Sequence, residues 1–125
     1  MQKPLIPLLL ALLSTPALAD KLPVLASFSI MADLVQEVGG ERVTVSSLVG
    51  PDQDAHVFQP APQDVKKLAA AKVFVVNGLG FEGWLNRLSK SSGFKGQTVV
   101  ASQGVKPLTL TEDELLQAAN RWEIR

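Results

Sequence analysis

The 125-residue chain has no cysteine and only one histidine. The absence of cysteine excludes disulfide bonds, thiolate metal sites, cysteine nucleophiles and a lipid-anchored lipoprotein start. A single histidine allows one imidazole metal ligand or one histidine general base. Basic and acidic side chains balance at 12 each, so the net charge gives no reason to expect nucleic acid or an anionic membrane as a partner. With 46% hydrophobic and 19% charged residues, the composition is that of a single globular domain.

The first 19 residues have the pattern of a cleavable secretory signal peptide. Lys3 supplies a positive start, residues 5–13 form an apolar run, and Ala17-Leu18-Ala19 offers small residues for signal peptidase. The apolar run is much shorter than the ~20 residues that a membrane-spanning helix needs, which makes a membrane anchor the less favoured alternative. We predict cleavage after Ala19 and a periplasmic product that is not inserted in the membrane.

From residue 20 onward, short apolar segments alternate with amphipathic ones. Periodicity and β-branched content predict four strands, and apolar residues at three- and four-residue spacing predict helices between them. The predicted strands are 22–28, 43–49, 72–77 and 98–101, and the predicted helices are 30–38, one that Pro62 opens, and 81–88. Ser29 is the expected N-cap of the first helix, and Gly39-Gly40 is its expected end.

This alternation predicts an α/β fold. We expect a single Rossmann-like lobe over residues 20–106, with a four-stranded, mainly parallel sheet and helices on both faces. Residues 107–125 form a separate tail, in which Thr111 and Glu114 have the spacing of a capping box and predict a helix over 111–121.

The segment G-L-G-F-E-G at residues 78–83 has the glycine spacing of a dinucleotide-binding loop, between a predicted strand and a predicted helix. Two features argue against a nucleotide. No acidic residue ends the next strand about 20 residues later, where a ribose-binding carboxylate belongs. Glu82 would also place a negative charge beside the pyrophosphate. We interpret the segment as a strand-to-helix turn that needs small residues.

The loop at 50–61 contains His56 and follows the carboxyl end of the second predicted strand. Ligands of open α/β sheets bind at this edge. A neutral imidazole is the commonest protein ligand for transition metals, and prolines in and beside the loop restrict its backbone. By position alone, a solvated surface histidine is the more ordinary interpretation. Asp52 and Asp54 are typical turn formers, or additional oxygen ligands. A serine hydrolase is a weaker alternative, because the chain has no G-x-S-x-G elbow.

Two motifs resemble those of the metal-specific solute-binding proteins of ABC transporters, which are receptors for zinc and manganese. They are D-A-H-V-F-Q-P-A-P at 54–62 and N-G-L-G-F-E-G-W-L at 77–85, within a similarity that runs to about residue 106. The resemblance implies that His56 is the first metal ligand and that 77–84 is a turn near the binding cleft. Family members have two α/β lobes joined by a long helix, and their other ligands come from later in the chain.

The implied function is that of a periplasmic component that binds a divalent metal and passes it to the membrane permease of an ABC transporter. Zinc is the favoured metal and manganese the alternative, since the ligands that decide between them come from later in the chain. The chain is not expected to be an enzyme. It departs from the family by having Ala61 where threonine is common, and by ending at Arg125, before the second lobe and most ligands. One imidazole is expected to bind metal weakly. The alternative is a structural or remnant lobe that docks on another protein, which an exposed apolar surface would favour.

Overall fold

The computed structural model describes residues 19–123, so the predicted signal peptide lies outside the described residues except for Ala19. Strands and helices alternate as the sequence predicts. The elements are β1 (Leu22–Phe28), α1 (Ser29–Gly39), a 3-10 turn (Gly40–Arg42), β2 (Val43–Val49), α2 (Pro62–Ala70), β3 (Val73–Val76), α3 (Leu85–Ser92), β4 (Gln97–Val100) and α4 (Glu112–Glu123).

The four strands form one sheet in the order β2-β1-β3-β4, and every pairing is parallel. Helix α1 lies on one face against β1 and β2, while α2 and α3 pack together on the other face. The chain therefore winds in one direction from β1 to β2 and in the opposite direction from β2 to β3. This reversal places the loops after β1, β2 and β3 next to one another at the carboxyl edge of the sheet. The predicted fold class is confirmed.

The core lies between the sheet and the α2–α3 layer. Leu25 and Phe74 are register partners on β1 and β3, and both are fully buried. Leu68 from α2 and Leu88 from α3 complete this cluster, with 0% and 1% of their surfaces exposed. The apolar strand residues thus point into the layer that supports the carboxyl-edge loops.

Two predicted helix starts are wrong. Helix α3 begins at Leu85 and not at Phe81, because the preceding residues form two tight turns: the Phe81 N–H donates to the Gly78 carbonyl and the Leu85 N–H to the Glu82 carbonyl, each at 3.1 Å. Helix α1 begins at Ser29 itself, which makes no capping hydrogen bond. The extended backbone of β1 continues to Phe28, so the serine is already in the first helical turn.

The apolar stripe of α1 is only partly covered. Met31 is buried, but Leu34 and Val38 are 52% and 91% exposed. Among residues 19–123, α1 is the only helix on this face, and because it lies over β1 and β2, these residues leave the β3–β4 half of the face uncovered. A groove of about 300 Å³ runs there, between the α1 stripe and the apolar strand residues Val73, Val75 and Val99.

The predicted capping box at the start of α4 is confirmed. The Glu114 carboxylate accepts hydrogen bonds from the Thr111 backbone N–H at 2.8 Å and from the Thr111 hydroxyl at 2.9 Å. These bonds lower the pKa of Glu114, the backbone N–H contributing most. The described side chains of α4 are exposed. No helix between residues 19 and 123 has the length and apolar character to cross a bilayer.

Candidate metal-binding loop

His56 lies in the loop that leaves the carboxyl end of β2, where the sequence predicts it. Its side chain is 63% exposed. The loop begins with a tight turn, in which the Gln53 backbone N–H donates to the Gly50 carbonyl at 3.3 Å and the Gln53 side chain accepts from the Gly50 N–H at 3.0 Å. The imidazole is therefore presented on an ordered segment at the edge where ligands of such sheets bind.

Asp54 is the carboxylate that contacts His56. Its Oδ1 atom accepts a hydrogen bond from the His56 backbone N–H at 2.8 Å and lies 3.1 Å from Nδ1 of the ring. The pKa of Asp54 is lowered, first by the backbone N–H of His56 and then by its ring. No hydrogen bond found among residues 19–123 joins Asp52 to His56. Of the two aspartates in the loop, Asp54 is thus the one that is hydrogen-bonded to His56. The sequence alone does not indicate which of the two makes this contact.

The aromatic ring of Phe81 packs against the imidazole of His56. The centroid of the Phe81 ring lies 4.3 Å from that of His56, with the planes tilted by 60°. Phe81 in turn packs on Phe28 at the end of β1, with ring centroids 4.9 Å apart. The sequence pattern assigns Phe81 to the buried stripe of a helix and does not predict its contact with the histidine.

Trp84 ties the histidine loop to the turn between β3 and α3. Its indole N–H donates a 2.7 Å hydrogen bond to the carbonyl of Ala55, the residue before His56. Both residues are buried, with 2% and 6% of their surfaces exposed, and Phe58 packs edge-on against the indole at 5.0 Å. Because a buried indole N–H needs a partner, this bond fixes the loop backbone beside the imidazole.

Glu82 organises the turn that holds these aromatic residues. Its buried carboxylate, 5% exposed, accepts from the Ser27 hydroxyl at 2.7 Å and from the backbone N–H groups of Asn77 and Gly78 at 2.6 and 3.1 Å. A nucleotide phosphate would need such strand-end N–H groups, and here two of them are bonded to Glu82. Gly78 is required because a Cβ there would lie 2.5 Å from Val100.

The described part of the chain offers a single imidazole and no complete metal site. Among residues 19–123, no three side chains of His, Cys, Asp or Glu are grouped closely enough to hold a metal ion. A zinc site with an open position normally has at least three protein ligands. The loop therefore supplies one imidazole, and hydrogen bonds and aromatic packing hold that imidazole and its backbone in place.

Comparison with known proteins places the chain in a family. The family model for ZnuA, the periplasmic zinc-uptake complex component A, matches residues 24–120. The chain belongs to the ZnuA family. The resemblance inferred from the two motifs is confirmed, and the match continues past residue 106, where the motifs suggested that it ends. The ZnuA family consists of metal-binding components of transporters and not of enzymes.

Relatives of the ZnuA family differ in the metal for which they are named. The manganese-binding lipoprotein MntA of Halalkalibacterium halodurans is 36% identical over 95 residues, covering 76% of this chain and 31% of that protein. The iron-binding protein YfeA of Yersinia pestis is 30% identical over 118 residues, covering 88% of this chain and 38% of that protein.

Solved ZnuA-family structures share the fold. The Mn-bound periplasmic metal binding protein from Candidatus Liberibacter asiaticus is similar with a TM-score of 0.66 and 31% identity, over 75% of this chain and 35% of that chain. The chain spans about a third of the length of the curated relatives it matches. It corresponds to one α/β lobe of such proteins.

Proposed function

We propose that the chain is the N-terminal metal-binding lobe of a periplasmic component for ABC import of a divalent metal, with His56 as its metal ligand. The observation that supports this most is the presentation of the imidazole. The ring lies at the carboxyl edge of a parallel sheet, is exposed to solvent, and is held by Asp54 and Phe81. The contacts with Asp54 and Phe81 hold the ring in one orientation at this edge.

Zinc is the proposed cargo in preference to manganese. The donor that the loop offers is an imidazole nitrogen, which suits zinc, whereas manganese favours carboxylate, carbonyl and water oxygens. Zinc also binds more tightly than manganese to a given nitrogen or oxygen site. Because relatives are named for zinc, manganese and iron, the cargo must be tested on this chain itself.

The proposed location is the periplasm, after cleavage behind Ala19, and the proposed partner is the membrane permease of the transporter. The signal-peptide pattern and the periplasmic description of the family support both. Some relatives are named lipoproteins, but this chain has no cysteine to which a lipid could be attached.

A zinc titration of the purified chain tests the proposal. We expect one weak zinc site in the wild-type chain, weaker binding of manganese, and at least a 10-fold loss of zinc affinity in His56→Ala, which removes the ligand. Val57→Ala is the matched control, because Val57 is the next loop residue and is 71% exposed. Equal zinc affinity of the wild type and His56→Ala would refute the role of His56.

The bare face of the sheet favours a second candidate function. Leu34, Val38 and Val99 expose apolar surface around the groove beside α1. Contiguous apolar surface of this kind marks interaction sites on soluble proteins. If the lobe serves only to dock on another protein through this face, the wild type and His56→Ala should bind zinc equally. The same titration therefore distinguishes metal binding from docking.

A further inference from the structure

Asp54 contacts His56 at two places with one oxygen atom. Oδ1 is 2.8 Å from the backbone nitrogen of His56 and 3.1 Å from Nδ1 of its ring. The first contact fixes the loop backbone at the histidine, and the second fixes the rotation of the ring. An ionised carboxylate can only accept hydrogen bonds, so Nδ1 must be the donor in the second contact.

We infer that Asp54 is a positioning residue, which keeps the His56 proton on Nδ1 and so leaves the Nε2 lone pair to bind the metal. The inference rests on the proposed function in that it names the atom of His56 that receives the cargo. In a neutral imidazole one nitrogen carries the proton and the other carries the lone pair. Carboxylates that accept from a metal-binding histidine in this way fix its tautomer and its orientation.

The same geometry argues that Asp54 is not itself a ligand of the metal that His56 binds. The two ring nitrogens point in divergent directions, and Oδ1 lies on the Nδ1 side. With a Zn–N bond of about 2.1 Å, a metal on Nε2 would be roughly 7 Å from Oδ1, far beyond the ~2 Å of a Zn–O bond. Asp54, which the sequence offers as an additional oxygen ligand, therefore acts on the imidazole instead.

Phe81 limits the remaining freedom of the ring. With centroids 4.3 Å apart, the phenyl ring covers one side of the imidazole, and Phe28 supports the phenyl ring in turn. A 180° rotation about the Cβ–Cγ bond, which exchanges the positions of Nδ1 and Cδ2, would give up the bond to Asp54 while keeping this packing. The carboxylate, and not the aromatic contact, is the part that selects the nitrogen.

The tautomer can be measured directly, because the chain has one histidine and gives one set of imidazole signals. We would record two-bond ¹H–¹⁵N correlations of the metal-free chain at about pH 8.5, two units above the ordinary histidine pKa. The Nδ1–H form should predominate in the wild type and fall in Asp54→Ala, with Asp54→Asn between them, since an amide oxygen is a weaker acceptor. Asp52→Ala removes the same charge from the same loop and should change nothing.

Zinc affinity gives the second measurement. Asp54→Ala should bind zinc about 10-fold more weakly than the wild type, as outer-sphere partners of metal-binding histidines do, and Asp52→Ala should bind as the wild type does. A wild-type ring with its proton mainly on Nε2, or an Asp54→Ala variant with unchanged tautomer and affinity, overturns the inference. The proposed function survives that outcome if His56→Ala still loses zinc. If His56→Ala retains zinc, the proposed function fails, and the tautomer alone decides whether Asp54 positions the ring.

Discussion

Replacing Glu82 with glutamine should destabilise the chain more than any other isosteric change at the site. Within residues 19–123, the buried carboxylate accepts hydrogen bonds from the hydroxyl of Ser27 and the backbone N–H groups of Asn77 and Gly78, and from no cationic group. Both carboxylate oxygens accept from a backbone N–H. A glutamine has one acceptor oxygen and one NH2 group, so it cannot satisfy both.

The better of the two glutamine orientations keeps the bonds to Ser27 and Asn77 and places its NH2 group against the N–H of Gly78. One charge-assisted bond of about 2 kcal/mol is lost, and two others weaken by about 1 kcal/mol each as their acceptor becomes neutral. The lower desolvation cost of an amide offsets part of this. We expect a net loss of about 3 kcal/mol in the free energy of unfolding, and a melting temperature lower by roughly 15 °C.

Urea unfolding followed by circular dichroism measures the loss, since a single domain of this size is expected to unfold in one cooperative step. Glu37→Gln is the matched control, because Glu37 is an exposed carboxylate on α1 and its neutralisation should change stability by no more than about 0.5 kcal/mol. If Glu82→Gln unfolds at the same urea concentration as the wild type, the carboxylate does not stabilise the turn.

Two further predictions concern helix starts. Ala61→Thr should raise the melting temperature, since the Asp64 carboxylate already accepts from the Ala61 N–H at 2.8 Å and a threonine would add the missing side-chain cap, worth about 1 kcal/mol; an unchanged or lower value contradicts the capping assignment. Helix α4 should loosen in acid: the pKa of Glu114 is lowered from its ordinary 4.5, so its bonds to Thr111 stabilise α4 fully above that pH and are lost as the pH falls through the lowered value. Amide exchange of α4 measures this, and Glu114→Gln should remove the part of the pH dependence that comes from the bonds to Thr111.

The sequence predicts the layered fold well because each strand and most helices depend on local patterns. The bounds of β1 and β2 match the prediction, since β-branched and apolar runs end there at glycine, proline or a helix start. Because connections between parallel strands are right-handed, only a few orders of the four strands in the sheet are then possible. The position of the His56 loop after β2 was also predicted, because a lone histidine after a strand is visible without any structure.

The supports of the histidine could not be predicted, because they join residues far apart in the chain. The hydrogen bond between Ser27 and Glu82 spans 55 positions, and that between Ala55 and Trp84 spans 29. A periodic pattern carries no information about such pairs, and it led to the wrong assignment of Phe81 to a helix. The one available signal was chemical: a carboxylate and an indole that both follow a buried strand need polar partners within the fold.

The hydrogen bond from Trp84 to Ala55 has a consequence for protein engineering. Transplanting residues 50–61 alone onto another parallel sheet would transfer the imidazole without Trp84 and Phe81, which hold the loop and the ring in place. The graft would have to include the turn after β3, with its tryptophan and phenylalanine, for the imidazole to keep its orientation.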